Sequence, residues 1–220
     1  MTQDESIKSL LSFVTSQLSK PGTLANHRAL VESGESKAST PEEIFTKDFL
    51  CPEIAKYFEG RGEKLGLTAS EIQHCLGSEG HGTTPGFGFT PASDDHFFTK
   101  DQFVKKTPPD SWLESSRLSK NRAYPDFAIR APLLPCSLVG EVKLIRSGSK
   151  NSALACIHEA ARQSLFYLAA FKGEYSAAVA LIADASDGSL LHDAVDVINP
   201  EILGRFGEKS SVYLCCVNLR

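Results

Sequence analysis

Nowhere do the 220 residues hold an apolar run approaching the roughly 18 residues that a membrane-spanning helix needs. The N-terminus places acids before a short apolar stripe, MTQDESIKSLLSFVTSQL, where a secretory leader wants a basic lead and a continuous apolar core. The six cysteines (Cys51, Cys75, Cys136, Cys156, Cys215, Cys216) contain no CxxC pair and no spacing of a secreted disulfide scaffold. Several lie in apolar runs, where a free cysteine behaves as a small hydrophobe. A cytoplasmic protein with no membrane partner is therefore expected. No phosphate-binding glycine loop or nucleophile elbow is present. His74, Cys75 and His81 lack the second ligand pair that would complete a zinc site. No internal repeat or low-complexity segment interrupts the chain.

Net charge is also small. The formal net charge of -4 gives no global argument for a nucleic-acid partner. Its distribution is more informative: residues 95–150 hold ten Lys/Arg against six Asp/Glu, which leaves -8 for the remainder. The apolar fraction of 41% is ordinary for a globular protein, and a chain this long can bury a core without staples.

The spacing of Ile7, Leu10, Leu11, Val14 and Leu18 predicts a helix over 6–18. A polar stretch, Lys20–Thr40, follows, its second half with the composition of a linker. Thr40-Pro41-Glu42-Glu43 carries the signals of a helix start: a capping residue, proline in the first turn and acids near the positive end. That helix is expected over 40–60 with an interruption at Pro52, and a short helix over 69–76. Gly77–Asp95 reads as an extended loop, an ordinary surface excursion first and a flap over a substrate as the alternative. Strands are expected over 124–130, 137–145, 176–183 and 212–217, with a long helix over 152–171 closed by Gly173. This order predicts an α/β core.

The chemistry concentrates in YPDFAIRAPLLPCSLVGEVKLI, Tyr124 to Ile145. Residues two apart on a strand share a face, so Glu141 and Lys143 point the same way from one apolar strand. A core strand gains nothing from an acid and a base without a purpose. If the two strands are neighbours, Asp126 and Glu141 converge and repel unless a cation neutralises them. Hard oxygen ligands favour Mg2+, for which Mn2+ can substitute. Lys143 then stands where it can hold or activate a water and offset phosphate charge. On the following helix the apolar stripe is expected at Leu154, Ile157, Ala161, Leu165 and Leu168. Gln163 and Tyr167, four apart, stack at its edge.

Pro125-Asp126, fourteen residues, then Glu141-Val142-Lys143, followed by Gln163-xxx-Tyr167, resembles the PD-(D/E)XK nuclease superfamily in its QxxxY-bearing, RecB-like branch. The resemblance spans Tyr124 to about Ala183. It implies a restriction-endonuclease-like core, a central mixed β-sheet flanked by helices, over 95–220, with a mainly helical N-terminal elaboration over 1–94 whose 40–60 helix packs on the core. It implies a Mg2+-dependent deoxyribonuclease acting on double-stranded DNA, as a restriction or defence enzyme, a homodimer, or a subunit of a larger nuclease assembly. In that reading Asp126, Glu141 and the Val142 carbonyl bind the metal, Lys143 serves the attacking water, and Gln163 and Tyr167 orient the site. The superfamily often adds an upstream helical acid; Glu43, Glu53 and Glu59 are candidates, and Glu53 is chosen. The first core strand is expected at 95–104. Arg122, Arg130, Arg146 and Lys150 are the candidates for phosphate contacts. The rival readings are a non-catalytic nucleic-acid- or protein-binding module that retains the fold, and an unrelated fold with a coincidental motif.

Overall fold

The computed structural model describes residues 2–36, 38, 40–66, 68, 76–78, 125–129, 133–170, 175–186, 190–195 and 211–220. The expected 95–104 strand, Arg122, Arg130, and the 77–95 loop beyond Ser78 lie outside them.

Helix α1 (Gln3–Leu18) opens on a reciprocal cap: Thr2 accepts from the Glu5 amide, and the Glu5 carboxylate accepts from the Thr2 amide. It buries Ile7, Leu10, Val14 and Leu18 on one face. Helix α2 (Thr23–Ser33) falls in the polar stretch for which no helix was expected. Its apolar pattern is weak and His27 is the residue it buries. Gly22 and Gly34, with φ of 91° and 65°, bound it in the left-handed region that glycine adopts without steric cost.

Residues 41–64 run on as one helix instead of breaking at Pro52. Thr40 caps it by accepting from the Glu43 amide. The helix comprises α3 (Pro41–Ile44), a π-helical turn (Phe45–Leu50) and α4 (Cys51–Lys64). In the wider turn the Cys51 amide donates to the Thr46 carbonyl, five residues back. Pro52 has no amide to donate, and in a regular helix its ring would collide with the carbonyl four residues earlier. The π turn accommodates it.

Five strands form one mixed sheet: β1 (Leu76–Ser78), β2 (Phe127–Ile129), β3 (Leu138–Ile145), β4 (Ala177–Asp184) and β5 (Val212–Asn218), adjacent in that order. β2 runs antiparallel to both β1 and β3, and β3, β4 and β5 run parallel. Leu76–Ser78 is thus a strand, where the sequence suggested the end of a short helix and the start of a loop. Helix α5 (Lys150–Ala170) connects β3 to β4, and α6 (Leu190–Val195) lies between β4 and β5 in sequence. Alternation along β3 gives the sheet two faces. Leu138, Val142 and Leu144 join α1 and the 41–64 helix in one core with Phe127, Ile129, Val179 and Leu181. Val139 and Ile145 join α5 and α6 in the other, with Ala178, Ala180 and Ile182. The described part of 1–94 therefore shares the core of the sheet. Each fully buried Leu or Ile there contributes about 1.5–3 kcal/mol of transfer free energy.

The face α5 turns inward differs from the expected stripe. Ala153, Ile157, Ala160, Ser164 and Tyr167 are buried, while Leu165 is 38% exposed. Alanines on both sides, Ala178 and Ala180 on β4 and Ala153 and Ala160 on α5, bring helix and sheet close. Ser164 donates across that short gap to the Val179 carbonyl. Hydrophobicity marks the leucine stripe, but close approach selects the small residues.

Candidate active site

Strand β2 begins at Phe127, and the residue before it, Asp126, helps build the site. The Asp126 amide still donates to the Gly140 carbonyl at 2.9 Å, and extending the register places Asp126 opposite Glu141. Beyond this point β3 continues without a strand partner on that side among the described residues. Amides of alternate residues face the same edge, so Val142 and Leu144 both point into the opening. Two carboxylates satisfy them: Asp126 Oδ2 accepts from Val142 at 2.6 Å, and Glu42 Oε2 accepts from Leu144 at 3.0 Å. The Val142 carbonyl projects to the same side as its amide.

Glu141 and Lys143 extend from the α5 face of β3. Lys143 Nζ lies 2.5 Å from Glu141 Oε1 and 3.6 Å from Glu42 Oε1. The other Glu141 oxygen, Oε2, accepts from the Tyr167 hydroxyl at 2.7 Å, so α5 fixes the carboxylate in the sheet's buried layer. Glu141 is 4% exposed, and Tyr167 is fully engaged in the core. Gln163 lies one turn before Tyr167, and its side-chain Oε1 is buried with no hydrogen-bond partner among the described residues.

The electrostatics follow from three carboxylates around one ammonium. Burial, and then the charge of Glu141, push the Asp126 carboxyl well above the usual carboxylate range, against the opposing pull of the Val142 amide and Lys143. Burial raises Glu141 too, while Lys143 and the Tyr167 hydroxyl act to lower it. Burial alone would lower Lys143, but the Glu141 and Glu42 carboxylates outweigh it and hold the amine charged. Even the Cys51 thiol, raised chiefly by burial, feels the Asp126 charge.

The helical acid that reaches this cluster is Glu42. Glu53 is paired with Lys56, and Glu43 with Lys47, and neither is among the main causes of the shifts at Asp126, Glu141 or Lys143. Glu42 stood in the recognised helix start, where its acidity was accounted for by the helix dipole. No local pattern says which first-turn acid will meet a distant strand. Arg146 and Lys150 are exposed, just past β3 and at the start of α5. Among the described residues no three His, Cys, Asp or Glu side chains form a ready metal cage. A Mg2+ site of two carboxylates, a backbone carbonyl and waters does not require one. No protein-family model, curated protein or solved structure matches this chain.

Proposed function

We propose that this protein is a metal-dependent nuclease that hydrolyses DNA phosphodiester bonds, of the kind found in restriction or defence enzymes. The observation that carries the reading is the convergence of Asp126, Glu141, Lys143 and Tyr167, with Glu42, where β2 leaves β3. The sheet order, an antiparallel β1–β2–β3 unit followed by a helical crossover to a parallel β4, supports a restriction-endonuclease-like core. The positive bias of residues 95–150 suits a polyanionic substrate.

The residues present fit a divalent cation. Two carboxyls pushed upward by burial, with one ammonium set against three acids, mark a site short of positive charge. Asp126 Oδ1, Glu141 and the Val142 carbonyl would hold the ion, with Glu42 alongside. When bound, it would polarise a phosphoryl oxygen and make a bound water a better nucleophile. Lys143, held protonated, orients the attacking water and balances charge developing on the phosphate. Tyr167 keeps Glu141 from rotating away. Asp126 and Glu42 hold the open edge of β3 in place through its amides.

Incubation of the pure protein with plasmid and linear DNA, in Mg2+ or in chelator, tests the reading. Cutting in Mg2+ and none in chelator is expected; discrete bands mean site specificity, and progressive shortening an exonuclease. Calorimetry separates the non-catalytic alternative: Mg2+ or Mn2+ binding that is lost in Asp126→Ala supports the nuclease, and no metal binding at all contradicts it.

A further inference from the structure

A second charged site lies on the other side of Glu42. A cavity of about 150 Å3 opens between α2 and the carboxyl ends of β3 and β4, lined by His27, Arg28, Glu32, Pro41, Arg146 and Ala185. In open α/β sheets this end of the strands is where ligands bind. Arg28 is oriented from within, its Nη2 donating to the Ala185 carbonyl at 3.0 Å. Arg146 has no hydrogen bond or ion pair among the described residues. His27 is 3% exposed and its Nε2 bonds the Pro41 carbonyl, yet its Nδ1 is buried with no partner among the described residues. Among the described residues, Arg146 is the uncommitted cation of this cavity, and His27, another of its lining residues, carries an unsatisfied ring nitrogen. Planar guanidinium forks suit phosphate oxygens in particular.

We infer that this cavity binds a backbone phosphate of the nucleic acid flanking the one that is cut, through Arg28 and Arg146. The inference rests on the nuclease reading for its substrate. Its geometry follows from two short links. Pro41, in the cavity wall, is joined to Glu42 in the catalytic cluster, and Arg146 follows Lys143 by three residues, about 10 Å along a strand. That separation is of the order of the spacing between near-neighbour phosphates along one strand. A phosphate seated here sets the register of the backbone against Lys143 and reads no base. Glu32 in the same wall opposes the phosphate and tempers its affinity.

The test is fluorescence anisotropy of a labelled mixed-sequence duplex in chelator, across a salt series, with cleavage in Mg2+ measured in parallel. Arg146→Gln should weaken binding at least about tenfold, the loss of one charge-assisted contact, regardless of sequence. Its log–log salt slope should fall by about 0.9. Glu32→Gln, which cannot act by unfolding the site, should tighten binding several-fold. Unchanged affinity and slope in both variants, while wild type still cuts, overturns this inference and leaves the nuclease reading standing. The expected binding changes without any metal-dependent cutting keep the phosphate site and sink the nuclease. If Arg146→Gln abolishes binding of inorganic phosphate yet leaves duplex affinity intact, the cavity serves free phosphate and the backbone contact is wrong. Failure of wild type to bind the duplex at all overturns both.

Discussion

Replacing Asp126 by asparagine should make the metal-free protein more stable while destroying its activity. Asparagine is isosteric, and its side-chain oxygen can keep the 2.6 Å bond from the Val142 amide. What it removes is a buried negative charge facing Glu141, the chief causes of the raised Asp126 carboxyl. The loss of attraction to Lys143 is the smaller effect. The pH dependence has a definite sign. Between the ordinary aspartate value of 3.8 and the raised folded value, the unfolded chain releases its proton and the folded protein holds it. Stability contributed by this group is therefore present below 3.8 and lost as pH rises through that window. Each unit of upward shift corresponds to about 1.4 kcal/mol. Relieving a strained functional site commonly yields about 0.5–2 kcal/mol, so Asp126→Asn should raise the melting temperature by about 1–8 °C at neutral pH in chelator. The advantage should shrink on acidification and vanish below the unfolded value. Asp126→Ala is the control: it strands the Val142 amide and should cost about 1–3 kcal/mol. Thermal melts of the three proteins from pH 4 to 8 decide it. An asparagine variant less stable than wild type at neutral pH, or a pH-independent difference, would refute the charge argument.

Glu42→Gln should reduce cleavage by about 10–100-fold, the usual cost of losing a supporting partner at a metal site, while Glu53→Gln should leave it unchanged; initial rates on one labelled duplex compare them. Tyr167→Phe removes a 2.7 Å bond to a buried carboxylate and should cost about 2 kcal/mol in denaturant unfolding, with activity falling as Glu141 loses its anchor. Gly140→Ala would drive a methyl carbon into the buried Phe127 ring, so overpacking should destabilise by about 1–3 kcal/mol. Adding Phe127→Leu to that variant should recover part of the loss, because the two sites are in contact.

The sequence carried the α/β class because its signals were local. Strand β4 is apolar from Ala177 to Ala183 and buried at every position, the terminal Asp184 included, and β3 sets Glu141 and Lys143 in the middle of such a run. Those two charges were conspicuous because strand alternation assigned them one face. What the sequence did not show was set by distance. Helix α2 escaped notice because it buries little, with the two positive-φ glycines its main local marks. Glu42 was missed because its role depends on a strand about a hundred residues away. The π turn after it also shifts the register on which a helical wheel for 40–60 relies. The leucine stripe of α5 misled because packing against Ala178 and Ala180 rewards small side chains over apolar ones.

Cleavage of supercoiled plasmid by wild type and Lys143→Ala, purified in parallel and assayed in Mg2+ and in chelator, tests the central claim most directly. Metal-dependent scission by wild type, lost in Lys143→Ala while its melting curve stays cooperative, is the predicted result. Equal cutting by the two proteins, or none by a folded wild type in Mg2+ on any duplex, would contradict it.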